Sequence, residues 1–227
     1  ADINADNVND IIKAEVGLVF AKVLEHAGVY ERSENGKKIR RCFVAPKGYK
    51  LISADYSQVE LRLLAVLADV KALKEAFKQG IDIHSATAMH VFGLSKEQIT
   101  PEIRRHAKAI NFGIVYGISQ YGLAKQIDVT PQEAKNYIDA YFAKMPEIKT
   151  FMNKTIEFAH QNGFVVTPFG RKCSVFGIND PNKRISSFAE RAAMNAPLQG
   201  GAADIMKRAM NNMHKNLIDG NFKSRIL

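Results

Sequence analysis

The chain has 227 residues, of which 46% are hydrophobic and 24% charged, and it carries a net charge of +9. That composition excludes a disordered or low-complexity chain, and with only Cys42 and Cys173 it also excludes a disulfide scaffold, so both cysteines read as reduced thiols. No apolar run reaches the roughly 18 residues of a membrane span, and no basic start leads into an apolar stretch, so neither a membrane segment nor a signal peptide is expected.

In chain order, residues 7–28 show helical apolar spacing (Val8, Ile11, Ile12, Val16, Val19, Phe20, Val23) and end near Gly28. Asn35-Gly36, within a charged stretch, is a hairpin turn signal. Lys50 to Ala54 reads as a short buried strand, and Gln58 to about Gln79 as one long helix stopped by Gly80. Ser95 and Thr100 are candidate N-caps. Thr100 is the stronger, with Pro101 at the first helical position and Glu102 in the first turn. That helix is expected to reach Tyr116 and stop at Gly117. Thr130-Pro131 starts another, Met145-Pro146 breaks it, and it resumes from Glu147 to Gln161. Gly163–Thr167 and Cys173–Phe176 flank Pro168-Phe169-Gly170 as a hairpin. Ser186 or Ser187 is expected to cap a helix over Phe188–Leu217, interrupted near Pro197. Lys223 to Leu227 begins what reads as another strand. The class is helix-rich α+β.

Residues 1–30 hold two lysines against five acids, a net −3, so the rest of the chain carries +12. A basic body suits a polyanion such as nucleic acid, although it also suits a basic solubility surface. Three segments carry candidate chemistry. In Asp55-Tyr56-Ser57-Gln58-Val59-Glu60-Leu61-Arg62, Asp55 follows an apolar stretch and precedes a helix. Asp55 could there present a carboxylate to a hard cation such as Mg²⁺, or simply cap the helix. Arg104, Lys108, Phe112 and Tyr116 recur every four residues. Each step rotates about 40° on a helix, so they line one face over about 18 Å. Two cations followed by two rings suit a triphosphate followed by a sugar and base, while a solvated basic face is the plainer reading. Arg191, Asn195 and Gln199 form a third row, of donors suited to phosphate and minor-groove contacts or to water. His90, His106, His160 and His214 match no metal-ligand spacing, and Asp204 reads as structural.

Together these segments resemble family A DNA polymerases, the bacterial DNA polymerase I group. The likeness is carried by ADYSQVELRLLA (Ala54–Ala65), DIHSATA (Asp82–Ala88), TPEIRRHAKAINFGIVYGIS (Thr100–Ser119), GFVVTPFGRK (Gly163–Lys172) and FAERAAMNAPLQGGAADIMKRAM (Phe188–Met210). It implies the fingers subdomain plus part of the palm of a right-hand polymerase, spanning residues 31–227. Residues 1–30 read as a helical segment of unclear origin, unlike the family's thumb and palm segment. The implied function is template-directed deoxynucleotidyl transfer to a primer 3′-hydroxyl by two Mg²⁺ ions. Asp55 and the Tyr56 carbonyl would bind metal. Arg104 and Lys108 would hold the β- and γ-phosphates, with Lys108 as proton donor to pyrophosphate. Gln58 and His84 would support the incoming deoxynucleoside triphosphate, and Phe112 and Tyr116 would pack by its sugar and the templating base. Glu60 beside Tyr116 would exclude a ribose 2′-hydroxyl. Arg191, Asn195 and Gln199 would touch the primer–template.

The family's second catalytic aspartate sits in a His-Asp-Glu turn, and no His-Asp-Glu occurs in this sequence. The chain therefore reads as a fragment with little activity of its own. The alternative is a non-catalytic nucleic-acid or nucleotide-binding module. A bacterial cytoplasm is the expected location, with an organelle of bacterial descent as the other choice.

Overall fold

The computed structural model describes Lys38 and residues 42–226. The chain divides into two compact units, Gln58–Arg208 and a second one made of Ala1–Ser57 with Ala209–Leu227.

The first of these contains α1 (Val59–Leu67), α2 (Lys71–Lys78), α3 (Ile83–Phe92), a 3₁₀ turn (Lys96–Gln98), α4 (Pro101–Val115), α5 (Gln120–Ile127), α6 (Pro131–Lys144) and α7 (Pro146–Asn162). A two-stranded antiparallel sheet follows, β1 (Phe164–Val166) with β2 (Lys172–Ser174). The chain then enters α8 (Lys183–Asp219), whose last residues belong to the other unit. α4 packs chiefly on α3, and also on α5 and α6. Its inward face, Ala107, Ile110, Asn111, Gly113, Ile114 and Val115, is buried. Leu61 and Leu64 of α1, Leu123 of α5 and Ile148 of α7 complete a single core with it. Each such aliphatic side chain contributes about 2 kcal/mol by leaving water. A smaller core of Ala159, Val165, Val175, Ile178, Ala189 and Ala193 seats the hairpin against α7 and α8.

The cap chemistry explains most helix starts. The Thr100 hydroxyl accepts from the Ile103 N–H at 3.2 Å. Thr130 and Glu133 form a reciprocal capping box, with Thr130 Oγ1 accepting from the Glu133 N–H at 3.2 Å and Glu133 Oε2 from the Thr130 N–H at 2.9 Å. Ser95 caps the 3₁₀ turn in the same way. The hairpin turn closes at Gly170, where φ is +86° and its N–H donates to the Thr167 carbonyl at 2.9 Å.

Four expectations are corrected. Residues 58–79 form two helices, not one. Asp69 takes a left-handed φ of 53°, and the N–H groups of Asp69 and Val70 return to the carbonyls of Val66 (3.3 Å) and Ala65 (3.0 Å). This is a Schellman stop with Asp where Gly is usual, so the sequence carries no glycine or proline to announce it. The second correction is α8, which runs through Pro197 without interruption and begins at Lys183. Asn182 Oδ1 accepts from the Arg184 N–H at 3.0 Å, so neither Ser186 nor Ser187 caps it. Third, Lys50–Ala54 is no buried strand: only Ser53 makes an isolated bridge, and Leu51 is exposed. Fourth, Lys223–Ile226 form no strand. The expected helix at 7–28 and turn at Asn35-Gly36 lie outside the described residues.

Candidate active site

The row predicted on α4 is present. Arg104 and Lys108 are exposed, while Phe112 and Tyr116 are half-buried at the rim of the core. The Lys108 Nζ lies 5.9 Å from the Phe112 ring centroid. The Phe112 and Tyr116 rings stack with centroids 6.4 Å apart and planes 28° from parallel. One face thus offers a cation next to an aromatic platform, with the helix anchored from behind.

At the cationic end the sequence missed a partner. Arg104 grips Asp82 with a two-pronged contact, Nε to Oδ2 at 2.6 Å and Nη2 to Oδ1 at 3.0 Å. Asp82 is also the N-cap of α3, accepting from the Ser85 N–H at 3.2 Å and its hydroxyl at 2.5 Å. Arg104 holds the Asp82 carboxyl well below the usual carboxylate range, with Ser85 adding to the effect. A guanidinium has five N–H donors, so this pairing leaves both on Nη1 and one on Nη2 for another anion. Asp82 therefore aims Arg104 and does not consume it.

His84, the second residue of α3, is buried at 2% exposure, as is Asn111 of α4 at 0%. The Asn111 amide Nδ2 donates to His84 Nδ1 at 3.1 Å and to Thr87 Oγ1 at 3.0 Å, while Thr87 Oγ1 donates to Asn111 Oδ1 at 3.1 Å. The His84 ring lies 5.9 Å from that of Phe112. Burial pushes its pKa below the ordinary value. The nearby Asp82 pulls it up, and Arg104 and Lys108 push it down. Asn111 and Thr87 had no distinguishing signal in the sequence.

At the aromatic end the Tyr116 hydroxyl donates to the Glu60 carboxylate of α1. Burial first, then this carboxylate, raise the phenol's pKa, and the Gln199 side chain of α8 lowers it slightly. Glu60 and Tyr116, expected beside each other, do meet, and the Gln199 side chain, expected at the primer–template, joins them. Gly117, at φ +67°, lets α8 come close. A Cβ there would lie 2.6 Å from Met194 Cε and 3.0 Å from Arg191 Cγ. Arg191 is exposed, with its guanidinium 6.0 Å from the Phe188 ring centroid. Asn195 Oδ1 is buried and has no hydrogen-bond partner among the described residues. Asp204 is structural, as expected: it holds the hairpin to α8 through Thr167 Oγ1 at 2.7 Å and Arg171 Nε at 2.9 Å.

Gln58 takes a left-handed φ of 55° as the N-cap of α1, and no side chain caps that helix, so Asp55 does not serve as its cap. Asp55 and Tyr56 are exposed and belong to the other compact unit.

A family model described as DNA polymerase family A matches residues 24–227. The chain belongs to that family. It is 49% identical over 194 residues to the DNA polymerase I of Caldicellulosiruptor bescii, covering 86% of this chain and 23% of the relative. It is 50% identical over 197 residues to that of Lactococcus lactis and 48% over 196 residues to that of Pseudomonas aeruginosa, each covering 86% of this chain and 22% of the relative. A solved structure, the POL domain of Pol1 from M. smegmatis in complex with DNA primer-template and dNTP, superposes with a TM-score of 0.78 at 38% identity, over 86% of this chain and 34% of that one. The chain thus spans about a quarter or less of the length of these curated relatives. The helix-rich architecture with its small antiparallel sheet is that of the matched part of a family A polymerase POL domain.

Family A polymerases generally use divalent metals. The donors here fit such a site only in part. Asp55 and the Tyr56 carbonyl are hard oxygen donors of the type Mg²⁺ prefers, but among the described residues no group of three or more His, Cys, Asp or Glu comes together. No helix among those residues is long and apolar enough to cross a membrane.

Proposed function

We propose that the chain supplies the nucleotide-binding face of a template-directed DNA polymerase, an enzyme that joins a deoxynucleotide to a primer 3′-hydroxyl with loss of pyrophosphate. The observation that carries this reading is the α4 face itself. Its cationic end meets an aromatic platform, and that platform ends at the Tyr116–Glu60 hydrogen bond beside Gln199. Lys108 and the spare donors of Arg104 suit the β- and γ-phosphates, and Lys108 is the ammonium placed to give a proton to the leaving pyrophosphate. Phe112 and Tyr116 receive the sugar and the templating base. Glu60, tied to Tyr116, stands where a 2′-hydroxyl would need space, which favours deoxynucleotides. Gln58 and His84 support the nucleotide, and Arg191, Asn195 and Gln199 face the primer–template. Asp55 and the Tyr56 carbonyl are the metal-side donors for Mg²⁺, which neutralises phosphate charge when bound. The setting is the bacterial cytoplasm or an organelle of bacterial descent, and residues 31–227 form the functional piece.

Primer extension tests the reading. In a full-length relative, replacing the residues matching Lys108 and Asp55 by Ala should lower extension by orders of magnitude. Normal extension by both variants would refute the assigned roles. A second reading, a nucleotide- or nucleic-acid-binding module without catalysis, is favoured by the lack of a carboxylate cluster among the described residues. Robust extension by this chain itself with Mg²⁺ would exclude it.

A further inference from the structure

A cavity of about 200 Å³ lies among α2, α3 and α6 and takes no part in the roles proposed above. The buried residues along it are Leu73, Ile83, Val91 and Met145, which are apolar, together with Thr87 and Tyr141. Tyr141 is 1% exposed, and its hydroxyl has no hydrogen-bond partner among the described residues. Burial raises its pKa, so the group stays a neutral phenol. A buried hydroxyl without a partner is costly, and native folds rarely leave one. Water is a poor answer here. An enclosed water needs roughly two to four polar partners, and the other buried polar side chain, Thr87, already bonds the Asn111 amide through its hydroxyl. An apolar cavity of roughly 150 Å³ is instead large enough to hold benzene.

At the rim the chemistry changes. His90 and Lys144 line the cavity there and are exposed. Burial first, then the Lys144 ammonium, push the His90 pKa below its ordinary value, so near pH 7 the ring is neutral and Lys144 is the cation of the rim. No carboxylate is among the described residues that line the cavity. Tyr141 and Lys144 are three positions apart on α6, so they share one face of that helix. We propose that this cavity is a binding site for a small aromatic carboxylate, with its ring among the apolar walls, a polar ring substituent at the Tyr141 hydroxyl and its carboxylate at Lys144. Each part of such a ligand meets something the cavity supplies. The walls bury the ring, the phenol gains the partner it lacks, and the ammonium meets the negative charge where water still reaches it. No residue of α4 lines the site, which is therefore independent of the triphosphate reading.

The test titrates para-hydroxybenzoate, and benzoate as its counterpart without the hydroxyl, into this chain labelled with ¹⁵N, and reads dissociation constants from amide shifts. Para-hydroxybenzoate should bind with a Kd of about 1 mM or tighter and shift amides of α3 and α6, and excess inorganic tripolyphosphate should not displace it. Tyr141→Phe keeps the ring and removes the hydroxyl. It should weaken para-hydroxybenzoate about fivefold and leave benzoate unchanged, while its ligand-free urea unfolding should come no earlier than that of the wild type. Lys144→Gln should weaken both ligands about threefold in low salt, and molar salt should erase that difference. Ala86→Leu, which enlarges a side chain of the lining, should abolish binding of both. Absence of binding, or an equal loss of both ligands in Tyr141→Phe, would overturn the proposal. Displacement by tripolyphosphate would place the carboxylate on the α4 cations instead and overturn it too. A Tyr141→Phe chain that unfolds earlier than wild type without ligand would show that the hydroxyl already has a water partner, with the same consequence.

Discussion

Two polar clusters bridge the same pair of helices, α3 and α4, under opposite conditions. The His84–Asn111–Thr87 set is sealed in the core, and the Asp82–Arg104 pair about one turn away lies at the surface, with side chains 34% and 46% exposed. The buried set contains no formal charge, yet each unmade bond there would cost a full desolvation penalty. The surface pair has full charges and near-ideal geometry, but water and salt screen it. Burial, more than charge, thus decides which contacts hold the helices in register. The exposed pair is left free to direct a guanidinium toward an anion. The Tyr116–Glu60 bond is intermediate, half-buried and linking α4 to α1.

This ordering can be broken by four measurements. Asn111→Leu strips partners from both His84 and Thr87 and should destabilise the chain by about 3 kcal/mol in urea unfolding. A loss under about 1 kcal/mol would mean the buried set is not the stronger joint. Next, Tyr116→Phe removes one half-buried hydroxyl and should cost about 1 kcal/mol. In the wild type, phenolate absorbance for this tyrosine should appear only well above pH 10, because its ionised form is disfavoured by burial and by Glu60. Third, Asp82→Ala loses a helix cap and a screened ion pair. It should cost about 1 kcal/mol in low salt, and 1 M NaCl should narrow its difference from wild type, whereas the same salt should leave the Asn111→Leu difference unchanged.

The smallest expected effect separates the two clusters by pH. His84 has a depressed pKa, so its unfolded form takes up a proton first as pH falls below the ordinary 6.5, and stability drops from there down to the folded value. Asp82 is also depressed, but its contribution persists until pH falls below the ordinary 3.8 and is lost only as pH passes through the folded value. Unfolding between pH 7 and 5 should therefore lose a step in His84→Gln and keep it in Asp82→Ala. The reverse pattern would contradict the burial assigned to the two groups.

Much of this architecture could be read along the chain. Thr100-Pro101 and Thr130-Pro131 announced two helices to within a residue, because a capping hydroxyl and a proline at the first position are local signals. The α4 face was legible for the same reason: four residues at a four-residue spacing must share a side of any helix. Glycine-free stops were not legible. Asp69 in a left-handed conformation divides what reads as one helix, and α3 and α5 drew no prediction because their hydrophobic faces are short and begin at ordinary polar residues, Asp82 and Ser119. Proline misled in the other direction, since Pro197 sits within an unbroken α8.

The amino-acid order by itself determined helix-rich architecture, the rows on α4 and α8, and the likeness to family A polymerases, since these depend on residue types and short spacings. Only the tertiary structure decided that Arg104 is paired with Asp82, that Tyr116 meets Gln199 as well as Glu60, and that Asn111 faces His84. Those pairs are separated by 22 to 83 positions and joined by packing between helices, and no local rule of propensity or periodicity reaches across such distances.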